Sequence, residues 1–190
     1  YLWHRDDALY DGLIDNVRRA MAWFEADGDL DGDGFIEYSG EKQEQAHLPQ
    51  QGWKDSHDSL NFTDGRPAQG PIALVEAQGY VNAAYAWMAD VARMRGDSAW
   101  ADELQAKADA MRERVERAFW MEDAQFYAQA LDGGKQQVDA ISSNAGHLLY
   151  CGLPSQERAD AVARRLAAPD MNSGWGIRTL SSDMTTYNPM

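Results

Sequence analysis

The chain reads as an all-α protein, and three observations predict that class. Apolar residues recur at helical spacing over long stretches, and caps and glycines bracket those stretches. Only one short segment, 126–131, reads as strand. The long polar connections fall at alternate joints, around 27–70, 120–141 and 169–190. In a ring of helix hairpins alternate joints share one rim, so the three loops are expected to converge on one pocket.

Asp6-Asp7 opens the first predicted helix, which runs to about Ala26 on a stripe of Leu9, Leu13, Val17, Ala20, Met21 and Phe24. A turn dense in Asp and Gly follows over 27–38, then an irregular polar stretch over 39–50. Pro71, a favourable first helical residue, predicts a helix to about Arg95 that stops at Gly96. Its early part, Ile72 to Tyr80, is apolar nearly all round, as a buried helix would be. Asp97 or Ser98 caps a third helix to about Phe119, with Trp100, Leu104, Ala108, Met111, Val115 and Phe119 on one face. The 126–131 strand turns at Asp132-Gly133-Gly134. Ser142-Ser143-Asn144 caps a short helix through Tyr150, Gly152-Leu153-Pro154 breaks it, and Ser155 begins a last helix to about Ala168.

Composition narrows the function. Asp and Glu number 31 against 17 Lys and Arg, a net charge of -14. No basic stripe exists to neutralise phosphates, so neither nucleic acid nor an anionic membrane is an expected partner. The acids are dispersed, as on a solvated surface. The single cysteine, Cys151, excludes an internal disulfide and a cysteine-based zinc site. No apolar run approaches 18 residues and no secretory signal is visible, which places the protein in the cytoplasm as an expectation. Seven tryptophans fit a carbohydrate binder and equally a helical core.

The chemistry concentrates at Gly52-Trp53-Lys54-Asp55-Ser56-His57-Asp58. Glycosidic hydrolysis takes two carboxyl groups, one of them protonated to serve the leaving oxygen. An apolar neighbour such as Trp53 can hold a carboxyl protonated by desolvation. Asp55 and Asp58 are therefore candidate acids, against the alternative that either caps a turn. Glu76 sits mid-helix among Ile72, Leu74, Val75 and Ala77, where a carboxylate must be paired or face a polar cavity. An ion pair with Arg66 is one reading; a pocket-lining face with Gln78 and Asn82 is the other. Asp29, Asp31, Asp33 and Gly34 match the first half of a calcium loop, but position 40, where the closing Glu would fall, is Gly. Glu37 takes the ninth position instead, so these four acids are candidate calcium ligands or a self-satisfied turn. His147 lies one turn into its helix, and Trp175 and Arg178 in a Gly-rich loop could form a sugar platform with a hydroxyl-binding cation.

Taken together, the segments at 29–38, 51–59, 70–84, 141–149 and 173–182 resemble the bacterial amylo-α-1,6-glucosidase or glycogen-debranching type of glycoside hydrolase, related to glucoamylases and trehalases. The resemblance implies part of an (α/α)6 toroid, about half of it, with residues 1–190 forming one partial catalytic domain truncated at both ends. It implies an inverting, exo-acting hydrolase of α-glucans or α-glucosides, with Asp55 as the general acid and Asp58 the second candidate. Trp53, Glu76, His147, Trp175 and Arg178 would contact the sugar. The general base would lie beyond Met190, so the isolated chain is expected to be inactive, and its exposed helix faces predict self-association. No cofactor is required beyond a candidate structural calcium. The competing readings are a non-catalytic carbohydrate-binding helical domain, or a sugar phosphorylase or epimerase on the same barrel.

Overall fold

A computed structural model of the chain describes residues 1–39 and 50–189. Residues 40–49, most of the stretch read as irregular, lie outside the described residues. Among the described residues five α-helices alternate with loops that carry small antiparallel ribbons. Helix α1 spans Asp7–Ala26, α2 Val75–Met94, α3 Ser98–Ala118, α4 Asn144–Cys151 and α5 Gln156–Leu166. The class is mostly helical, as a partial helical-hairpin barrel requires.

The caps of α1, α3 and α5 do what the sequence predicts, whereas Ser143, the N-cap of α4, makes no side-chain cap bond. The Asp6 carboxylate accepts from Leu9 N, Asp97 from Trp100 N and the Ser155 hydroxyl from Arg158 N, each supplying a donor-rich helix start with an acceptor. Gly152 ends α4 in the left-handed region (φ 66°), a conformation that spares glycine the Cβ clash. Helix α2 packs most extensively on α3 and next on α4. On α3 the predicted stripe is buried from Leu104 onward, through Ala108, Met111 and Val115 to Phe119, while Trp100 packs only partly. On α1 only Met21 is buried, Val17 and Phe24 pack partly, and Leu9 and Leu13 stay exposed.

Two expectations change. Helix α2 begins at Val75, not Pro71, because Ala73–Leu74 form strand β1 and Ile72 bridges to Tyr38. The apolar run 72–74 suits a buried strand as well as a buried helix, and its partner, β4 (Ala130–Leu131), lies far away in sequence. The single strand expected over 126–131 is two. Strand β3 (Phe126–Tyr127) pairs with β2 (Trp120–Met121), while β4 sits between β1 and β5 (Gln137–Val138). The β4–β5 turn needs glycine at one point: a Cβ on Gly133 would lie 2.3 Å from the Gly70 carbonyl oxygen.

The three long loops do meet. Ile36 exchanges two hydrogen bonds with the Gln78 amide of α2, 2.8 Å to its Oε1 and 2.7 Å from its Nε2. Thr63 N donates to Asp139 Oδ1 at 2.8 Å, Gln129 Nε2 to Ser59 O at 2.9 Å, and Thr185 Oγ1 to Thr63 O at 2.8 Å. Lys54 Nζ reaches across to the Thr179 carbonyl. The convergence read from loop spacing is thus built from side-chain to backbone contacts.

Candidate active site

The first turn of α2 and the start of α4 face each other beneath the 50–59 loop. Glu76 is 2% exposed, and its Oε1 accepts from Asn144 Nδ2 at 2.9 Å. The Ser142 hydroxyl donates to Asn144 Oδ1 at 2.8 Å, which fixes the amide so that its NH2 points at the carboxylate. Glu76 Oε2 is buried with no hydrogen-bond partner. Burial pushes the Glu76 carboxyl above its usual range, against the lowering pull of Asn144 and of the Lys54 ammonium. Its charge and their own burial in turn raise the Tyr38 and Tyr80 phenols, burial being the larger cause.

Gly52 lies directly above, so close that a Cβ there would stand 2.4 Å from Leu74 Cδ1 and 3.5 Å from Glu76 Oε1. The next two residues form the lid of the site. Trp53 is 48% exposed, and its ring lies 5.6 Å from that of His147, tilted by 40°. Tyr80, one turn after Glu76 on α2, shares a 2.6 Å hydrogen bond with His147 Nδ1. Burial, then the nearby Lys54, pulls the imidazole below its usual value. Burial also pushes the Lys54 ammonium down to about 8, only partly offset by Glu76. The result is an exposed aromatic plate over a buried polar floor, a combination suited to a ring with one apolar face and several hydroxyls.

Asp55 and Asp58 follow this plate in the chain and both side chains are solvent-exposed. The Asp58 carbonyl caps the turn by accepting from Asn61 Nδ2. Arg66 does not partner Glu76; it stacks on Phe62, 4.1 Å from the ring centroid, and pairs with Asp64 at 3.5 Å. Gln78 and Asn82, read from sequence as pocket-lining, are structural instead. Gln78 clamps Ile36, and Asn82 Nδ2 donates to Ala108 O at 2.6 Å. Trp175 is fully exposed at the tip of the 173–176 turn. Arg178 gives two of its five donors to that tail, with 3.3 Å to Tyr187 Oη and 3.1 Å to Pro169 O. The segment they share still borders the site, because Thr179 accepts from both Lys54 and Ser143 N.

The acids of the 29–37 loop gather elsewhere, around Lys135, with 2.7 Å to Asp31 and 2.6 Å each to Asp33 and Glu37. A groove of about 530 Å³ runs beside that loop between α1, α2 and α3. Its walls are Phe24, Val81, Met111 and the Glu25–Lys107 pair (2.7 Å), with none of the Trp53 cluster among them. We place the candidate site not in that groove but at the Glu76 floor, where a half-satisfied carboxyl, the Lys54 amine and an exposed aromatic ring lie together. From the sequence, Ser142 and Asn144 read only as a helix cap, and Lys54 and Tyr80 carry no site role. Tyr80 had a signal, its four-residue spacing from Glu76, and Lys54 had its place beside Trp53.

No curated protein matches the sequence. A solved structure titled sialidase superposes with a TM-score of 0.74 at 14% identity, covering 96% of this chain and 15% of that one. At that identity the likeness shows the fold alone, and this chain spans about 15% of that protein's length. No described helix is long and apolar enough to cross a membrane. The model for the mannosylglycerate hydrolase MGH1-like glycoside hydrolase domain matches residues 1–190, so the chain belongs to that glycoside hydrolase family.

Proposed function

We propose that this chain carries the proton-donating half of the active site of an inverting, exo-acting glycosidase for α-linked glucosides. The observation that carries the reading is the exposed Trp53–His147 plate above the buried, half-satisfied Glu76, with Asp55 two residues beyond the tryptophan. A pyranose stacked on Trp53 would shield Asp55 from water. Held there, the Asp55 carboxyl is the group that hands a proton to the leaving oxygen. Glu76, held by Asn144, sets the charge of the floor beneath the ring, and His147, Trp175 and Arg178 complete the rim. The water-activating base comes from residues outside this chain, so residues 1–190 alone turn nothing over and associate through their uncovered helix faces. The reading extends the family's glycoside hydrolysis to a linkage and an outcome by the amylo-α-1,6-glucosidase resemblance of the five motifs. An MGH1-like relationship also admits a glycosylated small acid as substrate.

A second reading has one observation in its favour. Burial already raises the Glu76 carboxyl, so Glu76 could be the proton carrier and Asp55 a binding residue. Leaving-group dependence separates the two. On the intact polypeptide that carries these residues, Asp55→Asn should lose about a hundredfold or more in kcat on maltose. The same variant should keep near wild-type rates on α-glucosyl fluoride, whose departing fluoride needs no proton. If Glu76→Gln shows that signature and Asp55→Asn does not, the proton carrier is Glu76. Wild-type rates for Asp55→Asn on both substrates would remove Asp55 from the mechanism.

A further inference from the structure

Asp29, Asp31, Asp33 and Glu37 each bring one oxygen within 4.8 Å of the others. Carboxylates that close repel unless a cation sits among them. We propose that the chain supplies this cation itself: Lys135 is the resident counter-ion of the 29–37 loop, which closes around an ammonium where its sequence pattern suggests a divalent metal.

The stoichiometry fits an ammonium. A lysine head carries three N–H donors, and Lys135 Nζ lies 2.7 Å from Asp31 Oδ2, 2.6 Å from Asp33 Oδ2 and 2.6 Å from Glu37 Oε1. Each donor has its own carboxylate. Asp29 is engaged otherwise: Oδ1 accepts from Gly32 N (2.8 Å) and Asp33 N (3.2 Å), and Oδ2 from Gly34 N (2.8 Å). Asp29 therefore folds the loop while the other three hold the lysine.

The lysine is also aimed. It stands at φ 59° in the β4–β5 turn, a conformation a side-chain-bearing residue rarely adopts. Asp132 fixes that turn by accepting from Gly134 N and Gln136 N at 2.9 Å each. The Glu37 side chain is fully buried, and its Oε2 has no partner, since all three ammonium hydrogens are taken. Replacing the ammonium by a methyl group would leave four clustered carboxylates and that free oxygen, a hard oxygen set suited to calcium.

Melting of wild type and Lys135→Met, each in EDTA and in calcium chloride, tests this. The proposal expects wild type to melt at the same temperature in both. Lys135→Met should melt lower in EDTA by roughly 5 °C and recover in calcium. A wild-type chain that is stabilised by calcium, with Lys135→Met melting like wild type in EDTA, overturns it. Should Lys135→Met not fold, terbium luminescence on wild type decides. Saturable binding at micromolar terbium contradicts a lysine-filled loop, and no saturation below about a millimolar supports it.

Discussion

Two lysines sit opposite buried glutamates in this molecule, and their fates differ. Lys135 meets three carboxylates at hydrogen-bond distance. Burial pulls its ammonium down, but those bonds more than offset the loss and leave it raised. Lys54 has a carbonyl, Thr179 O, and one carboxylate that acts on it by charge alone, so burial wins and its value falls to about 8. The first lysine is satisfied and ties two loops together. The second is left short of partners at the edge of the aromatic plate, beside Glu76, which is itself short of one. Fold anchors can be completed within the chain, whereas a binding site must leave groups for its ligand to complete.

Truncations sharpen the contrast. Phe119 is fully buried at the end of α3, and its ring meets Phe35 of the acid loop edge-on at 5.2 Å. Phe119→Ala should cost about 3–5 kcal/mol of stability, seen as a lower urea midpoint. Trp53→Ala should move the same midpoint very little, because that ring is half exposed. Its effect should appear in calorimetry with maltose, as an affinity roughly tenfold to a hundredfold weaker. Equal stability losses in the two variants would erase the distinction between anchor and plate.

The sequence made some of this legible. The α3 stripe, the caps at Asp6, Asp97 and Ser155, and the shared rim of the three loops follow from local spacing and chain order. So does the oddity of Glu76, since a carboxylate in an apolar helix demands a reason. Its partners were not legible, because Asn144 is 68 residues away. Lys54 and Thr179 are 125 apart, and Lys135 and Glu37 98 apart. Local patterns carry no information on such pairs. The start of α2 failed for the same reason, since 72–74 become strand only when 130–131 arrive. Asp55 and Asp58 were found by motif; their exposure is a tertiary fact that the motif does not contain.

A smaller effect follows from Lys54 in the pH dependence of stability. Its folded value of about 8 lies below the ordinary 10.5, so between these values the unfolded chain holds a proton that the folded chain has released. Stability therefore rises with pH across that window, and below it the cost of an ill-solvated ammonium is fully present. Denaturant midpoints from pH 7.5 to 10.5 should show the rise in wild type and its loss in Lys54→Met. A wild-type curve that is flat or falling there, once Lys54→Met is subtracted, would contradict the desolvation of Lys54.

The most direct test reads both lysines in one sample. Side-chain NMR of the Nζ groups, followed from pH 6 upward in wild type, should show Lys54 titrating near 8. The Lys135 ammonium should stay protonated past the ordinary lysine range. Both groups titrating together near 10.5, the value for a free lysine, would contradict the account at its centre.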